Sequence, residues 1–415
     1  MNALGNSTFR RLFAAQVVAL IGTGLLTVAL GLLAYDLAGS AAGAVLGTAL
    51  AIKMTAYVFV APVITAVAYR LPRRRLLLGA NVVRGVIAVA LPFVDQTWQI
   101  YVLIFVLQAA SATFTPAFQA LIPAVLETEE AYTRGLSLSR LAYDLESLLS
   151  PVLAAALLTV MTYHHLFLGT VLGFALSAVL VLATAIPESE GAEPTETFRR
   201  RTTSGSRTMV ENPVLRALLA LNMVVAAATA LVVVNTVVFV YDVLRASGDA
   251  LAVLLACYGG GSMLVALAVP KLLERTADRT VMRAGATLVP LTLAVVAVVL
   301  AIAPATPVAW GVFAAGWTVL GAATSLIATP SARLLRYESA ADARTSVFTA
   351  QFSLSHACFF VTYPVAGWVG AVAGQSVAAA VLTGFAAAAG VAAFRTWPRD
   401  RAVVSERPRL VTVGS

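Results

Sequence analysis

Apolar runs of about twenty residues follow one another along almost the whole chain, broken by short polar loops. A helix rises 1.5 Å per residue, so each run matches a hydrocarbon core of ~30 Å. Inside that core every backbone N–H and C=O must be bonded within a helix or a closed barrel. The runs are continuous rather than alternating, which excludes barrel strands. With 415 residues, 60% hydrophobic and 12% charged, a soluble fold could not cover so much apolar surface. An all-α polytopic membrane protein is expected. Its twelve transmembrane helices fall at roughly 12–35, 42–68, 75–94, 98–120, 136–161, 165–186, 214–240, 250–272, 281–303, 308–330, 345–370 and 375–396.

The loops orient these spans. Arg10 and Arg11 precede the first, and an arginine cluster at 70–75 follows the second. Arg134 follows the fourth, Arg199, Arg200 and Arg201 the sixth, and Arg275, Arg279 and Arg283 the eighth. Arg333, Arg336 and Arg344 follow the tenth, and Arg395, Arg399 and Arg401 the twelfth. The opposite loops hold Asp36, Asp95, Asp242 and Asp249, with Arg245 as the clear basic residue. The positive-inside rule then places both termini in the cytoplasm. The excess of arginine over two lysines, with the Ala/Val richness, suggests a GC-rich bacterial genome and so a bacterial plasma (inner) membrane. The polar stretch 188–212 reads as a flexible cytosolic linker between six-helix units at 1–187 and 213–398, with a tail at 399–415.

Several functions are excluded or disfavoured. The net charge of +8 sits in orienting loops, so nucleic acid is not an expected partner. A P-loop, a GxSxG elbow and a zinc-type cysteine pairing are all missing, so neither an enzyme nor a resident cofactor or metal is expected. Cys257 and Cys358 lie within apolar runs. The Gly run at 259–261 reads as helix packing or a hinge.

The two halves also repeat. Tyr35-Asp36 returns as Tyr241-Asp242, Trp98 as Trp310, Thr115-Pro116 as Thr329-Pro330, and Pro151 as Pro364, with offsets of 206 to 214. A parallel repeat of this kind places a substrate site between the halves, near the midplane. Twelve spans as six plus six, a central linker and a basic loop after the second span resemble the major facilitator superfamily. That loop in the superfamily reads Gly-x-x-x-Asp-Arg-x-Gly-Arg-Arg. Here Arg70, Arg73 and Arg74 match, while Thr65, Tyr69 and Pro72 replace the first Gly, the Asp and the second Gly. The resemblance implies a gating role for the three arginines. Ser150-Pro151 with Ala154-Ala155 is similar to the fifth-span motif of the superfamily's exporters, and Glu146 occupies its first glycine. The whole resembles bacterial efflux permeases, among them the nickel-resistance and siderophore-exporter branch. The tail carries none of the histidines that nickel exporters of this kind often have.

Charges within the spans are the functional candidates, because each costs roughly 2.5–3.5 kcal/mol even on the insertion scale. The segment 134–151 carries Arg140, Asp144 and Glu146, with Asp144 at ~12 Å and Glu146 at ~15 Å depth. Arg140 and Asp144 are four apart and can pair on one face. Glu146 is rotated by ~200° from Asp144 and looks elsewhere, toward Lys53 or Arg84, or titrates. Burial raises a carboxylate's pKa and a nearby cation lowers it, so a balanced group can carry protons. Lys53, at ~16 Å, is either half of a structural pair or a substrate or proton-linked contact. Arg84, at ~14 Å in a span peripheral in the superfamily, reads first as an anchor beside a carboxylate. His356, at ~18 Å, is either a hydrogen-bonded neutral ring, or a proton relay or soft-metal contact. Gln108, Asn222, Asn235 and Gln351 either line the cavity or bond between helices.

The expectation is a monomeric secondary active transporter. It is expected to be a proton-coupled exporter, or antiporter, of a small molecule, metal or chelate, by alternating access. An importer or lipid flippase of the same fold, or a membrane sensor that transports nothing, stays open as an alternative.

Overall fold

The computed structural model describes residues 3–60, 72–119, 121–126, 128, 131, 134–135, 138–139, 142, 146, 150, 152–154, 156–186, 198–246, 248–302, 307–339 and 344–398. Arg70, Arg140 and Asp144, the tail 399–415 and residues 187–197 lie outside the described residues. Among the described residues all regular elements are helical, with nine candidate spans and a shorter apolar helix at Thr97–Ala112. The first candidate, Ser7–Phe59, holds two of the expected spans, joined by a 3-10 turn at Gly39–Ala41. Gly39 makes that turn with a φ of 53°, a region that favours glycine. The expected span 136–161 is described at scattered positions, and residues 138, 139, 142, 146, 150 and 152–154 among them are helical.

The helices are α1 Ser7–Ala38, α2 Ala42–Thr55, α3 Arg73–Ala90, α4 Thr97–Gln119, α5 Tyr163–Leu182, α6 Phe198–Glu211, α7 Pro213–Ala230, α8 Gly248–Leu272, α9 Asp278–Ile302, α10 Pro307–Glu338, α11 Arg344–Pro364 and α12 Gln375–Thr396. π-helical turns continue three of them: Ala56–Val60 after α2, Leu231–Asn235 and Phe239–Val243 beyond α7, and Val365–Val369 after α11. Such turns insert one residue and re-aim the side chains that follow.

Local sequence sets the helix starts. Asn6 caps α1 by accepting from the Phe9 amide at 3.1 Å. Asn212 caps α7 by accepting from Val214 and Leu215, and Pro213 takes the first helical position, where its missing N–H costs nothing. Close packing then rests on small residues at the crossings. A Cβ on Gly173 of α5 would lie 3.1 Å from the Gly22 Cα of α1. One on Gly321 of α10 would fall 1.9 Å from the Tyr258 carbonyl of α8, and one on Gly261 of α8 would fall 2.1 Å from the Thr318 carbonyl. The glycine run at 259–261 therefore serves packing at Gly261.

α1 to α5 pack among themselves, as do α7 to α12, and the two groups meet through α1, α2, α11 and the π turns. Within each group the start of one helix is tied to the end of another. Arg11 donates to the Ala183 carbonyl at 2.9 Å and Arg74 to that of Leu182 at 2.6 Å. In the second group Asn212 donates to Glu338 Oε2 at 2.9 Å, and Arg333 pairs with Asp278 at 2.9 Å. These bonds gather the helix ends nearest the chain termini, and with them the arginines.

The linker departs from its expected flexibility. Residues 198–211 form α6, which packs on α11 and α7. Met209 is fully buried in the main core, and Arg207 pairs with Glu211 at 2.6 Å, one turn on. Its Ser, Thr and Gly content reads as a loop, yet the segment is helical and turns Met209 into the core.

Candidate functional site

The carboxylate and the lysine singled out in the spans come together. Lys53 ends α2, and Glu146 lies within its electrostatic reach. Both lie deep among the helices, each with part of its surface still accessible. Glu146 rests against α1, where a Cβ on Gly24 would stand 3.4 Å from its Oε1. On the same segment, Ser150 presses so closely on Gly24 that a Cβ there would fall 1.8 Å from its Oγ. Gly24 is thus the position that lets the acidic segment approach α1. Glu146 also lies within electrostatic reach of Tyr363, at the end of α11 in the other group. Opposite charges in a poorly solvated interior attract far more strongly than in water.

A stripe of rings crosses this junction. Phe352, His356, Phe359 and Tyr363 recur every three or four residues along α11, each ring in contact with the next. Tyr57, in the π turn after α2, meets them edge-on, 6.1 Å from Phe352 and 5.4 Å from His356. His356 Nδ1 lies 2.7 Å from the Phe352 carbonyl, which can only accept, so this nitrogen carries the proton and donates. The sequence reading missed Tyr57, Phe352, Phe359 and Tyr363. Their signal was the helical spacing of aromatics around a polar residue on α11.

The ends of the helices remote from the termini are closed across the two groups. Tyr35 of α1 donates to Asp242 Oδ1 at 2.5 Å, and its ring stacks on Tyr241 with centroids 4.5 Å apart. Tyr163 of α5 donates to Asp36 beside it. Trp368 donates to Thr48 Oγ1 at 3.0 Å, and a Cβ on Gly367 would fall 2.0 Å from the Gly43 carbonyl. The repeated Tyr-Asp dipeptides had marked these positions without revealing that they meet.

The other expected site residues fall elsewhere. Arg84 is buried inside the first group, its guanidinium between the rings of Phe114 at 4.4 Å and Phe174 at 4.6 Å. It also donates to the Ala80 carbonyl and to Asn81, which donates to Ser177. The expectation for Arg84 is a carboxylate beside it; its contacts include aromatic faces, a backbone carbonyl and a neutral amide. Asn222 and Gln351 form a reciprocal amide pair at 3.0 and 3.1 Å between α7 and α11. Asn235 ties its π turn to the Ala366 carbonyl and to Gln375. Gln108 is buried in α4, and its Oε1 has no hydrogen-bond partner among the described residues. Of the two described arginines in the basic loop motif, Arg74 holds the start of α3 to the end of α5, and Arg73 lies half-buried one residue before it. Asp278, at the start of α9, supplies in the second group the carboxylate that Tyr69 denies to the first.

Residues 12–297 match the family model described as Major Facilitator Superfamily. Macrolide efflux protein A of Streptococcus pyogenes is 26% identical over 185 residues, 43% of this chain and 45% of that protein. The protein of the same name from Enterococcus faecalis is 25% identical over 153 residues, 34% of this chain and 47% of that one. The alignments thus span about half the length of these relatives. Among solved structures, the nucleoside transporter NupG aligns with a TM-score of 0.68 at 14% identity, over 95% of this chain and 99% of that one. A bacterial homologue of the lysosomal transporter Spinster, described as inward-facing and unoccupied, aligns with a TM-score of 0.69 at 12% identity, over 95% and 98%.

Proposed function

The chain belongs to the Major Facilitator Superfamily, and from that membership we propose that it exports bulky amphiphilic molecules in exchange for protons. It is a multi-pass membrane transporter. The finer reading rests on Lys53 and Glu146, which lie within electrostatic reach of each other, and on Tyr363 of the α11 ring stripe, which Glu146 also reaches. The names of the macrolide efflux relatives support an amphiphilic cargo and the outward direction.

Arginine-rich helix ends near the termini support a cytoplasmic location for both termini, with the Tyr35–Asp242 contact on the outer side. With the outer ends latched, cargo enters from the cytoplasm and lies against Tyr57, Phe352 and Phe359. The six-helix units at 1–187 and 213–398 then rock to break the outer latch. A proton arriving from outside neutralises Glu146 and leaves Lys53 without its counter-charge, which is costly in a dry interior. That cost drives the units back, and return of the proton to the cytoplasm restores the pair.

The test is transport of a labelled macrolide in proteoliposomes with and without a pH gradient. Gradient-driven accumulation supports the proposal. Movement of the macrolide that ignores the gradient counts against proton coupling, and no movement counts against this cargo.

A further inference from the structure

We propose that the groove between the ends of α9 and α12 binds the headgroup of an anionic phospholipid. A cavity of about 600 Å³ opens there, lined by Arg279, Arg283, Arg395, Phe394, Trp397 and Val391 among others, with three guanidiniums and no carboxylate among its lining residues. The nearby Asp278 accepts from Arg333 through Oδ2 at 2.9 Å, and its Oδ1 has no hydrogen-bond partner among the described residues. Arg283 lies over the Phe394 ring at 5.1 Å, and Arg279 reaches the Trp397 carbonyl at 3.4 Å. The Arg279 Nε is buried and has no acceptor among the described residues. A buried N–H without an acceptor is costly, and a phosphodiester oxygen would satisfy it.

The surroundings select a lipid rather than a free anion. α9 and α12 are apolar spans, and above the arginines α9 presents Leu288, Leu291 and Val295 outward while α12 presents Val391. These exposed faces are covered by acyl chains in a bilayer. The groove therefore offers charge at headgroup level and hydrocarbon contact directly above it. Basic pockets between spans at this level suit anionic headgroups.

The experiment compares the full chain with an Arg279→Gln, Arg283→Gln, Arg395→Gln variant. Both are reconstituted in nanodiscs of phosphatidylcholine doped with spin-labelled phosphatidylglycerol, and the motionally restricted lipid fraction is measured. At about 1 kcal/mol per arginine, the variant should lose roughly 100-fold in selectivity for the anionic lipid. An Arg→Lys version of the three should keep most of it. Equal selectivity in the wild-type chain and the glutamine variant overturns the proposal. So does displacement of the lipid by millimolar inorganic phosphate, which marks a free-anion site. If the triple variant does not fold, the exposed Arg283→Gln and Arg395→Gln singles carry the same comparison. Each should lower selectivity about fivefold, and unchanged selectivity in both overturns the proposal.

Discussion

The Tyr35 hydroxyl bonds to Asp242 at 2.5 Å across the two helix groups, at the ends of α1 and of the π turn beyond α7. Each residue belongs to one copy of a repeated Tyr-Asp dipeptide, and the second tyrosine, Tyr241, stacks on the first. A hydrogen bond to a charged group contributes about 1.5–3 kcal/mol. Tyr35→Phe keeps the ring stack and removes that bond. It should shift the equilibrium toward the state open at this end by roughly tenfold or more. Spin labels placed either side of the contact would report the shift by distance measurement. An unchanged distance distribution would remove the bond from the latch.

Arg84 should matter for folding rather than for transport. Its guanidinium lies between two rings, each contact being worth ~0.5–2 kcal/mol. Arg84→Met should therefore lower thermal stability in detergent, while transport per folded molecule stays at the wild-type level. Arg84→Lys should recover part of the stability, because an ammonium keeps the charge and loses the planar stacking. Lost transport with an unshifted melting curve would make Arg84 part of the transport path instead.

Asp278 and Arg333 form an ion pair at the terminal ends of α9 and α10, with Asp278 buried and Arg333 about a third exposed. Asp278→Asn strands the arginine, and its partial exposure limits the loss to ~1–3 kcal/mol. Adding Arg333→Gln should return part of that stability, a coupling that a double-mutant cycle measures. Additive losses would mean that the two side chains do not act as a pair.

Much of this was legible in the chain itself. Charges in apolar runs must find partners, and depth offered Glu146 either Lys53 or Arg84 without choosing between them. The Tyr-Asp repeat gave both ends of the latch. Their contact was not legible, because a repeat fixes depth and orientation but not which helices of the two groups touch. The partners of Arg84 were hidden for a different reason. Phe114 and Phe174 look like any other apolar residue in a span until α4 and α5 close around the cation. In α6 a helix that buries Met209 forms from a loop-like composition, because the tertiary contact that favours it is invisible in the local sequence.

Glu146→Gln is the substitution that bears most directly on proton coupling. It keeps the shape of the side chain against Gly24 and removes its charge beside Lys53. The measurement is macrolide transport in proteoliposomes with and without a pH gradient, normalised to folded protein, with binding followed in parallel. The account predicts that cargo still binds within a few-fold of the wild-type affinity and that the gradient no longer accelerates transport. Full gradient dependence in Glu146→Gln would contradict it.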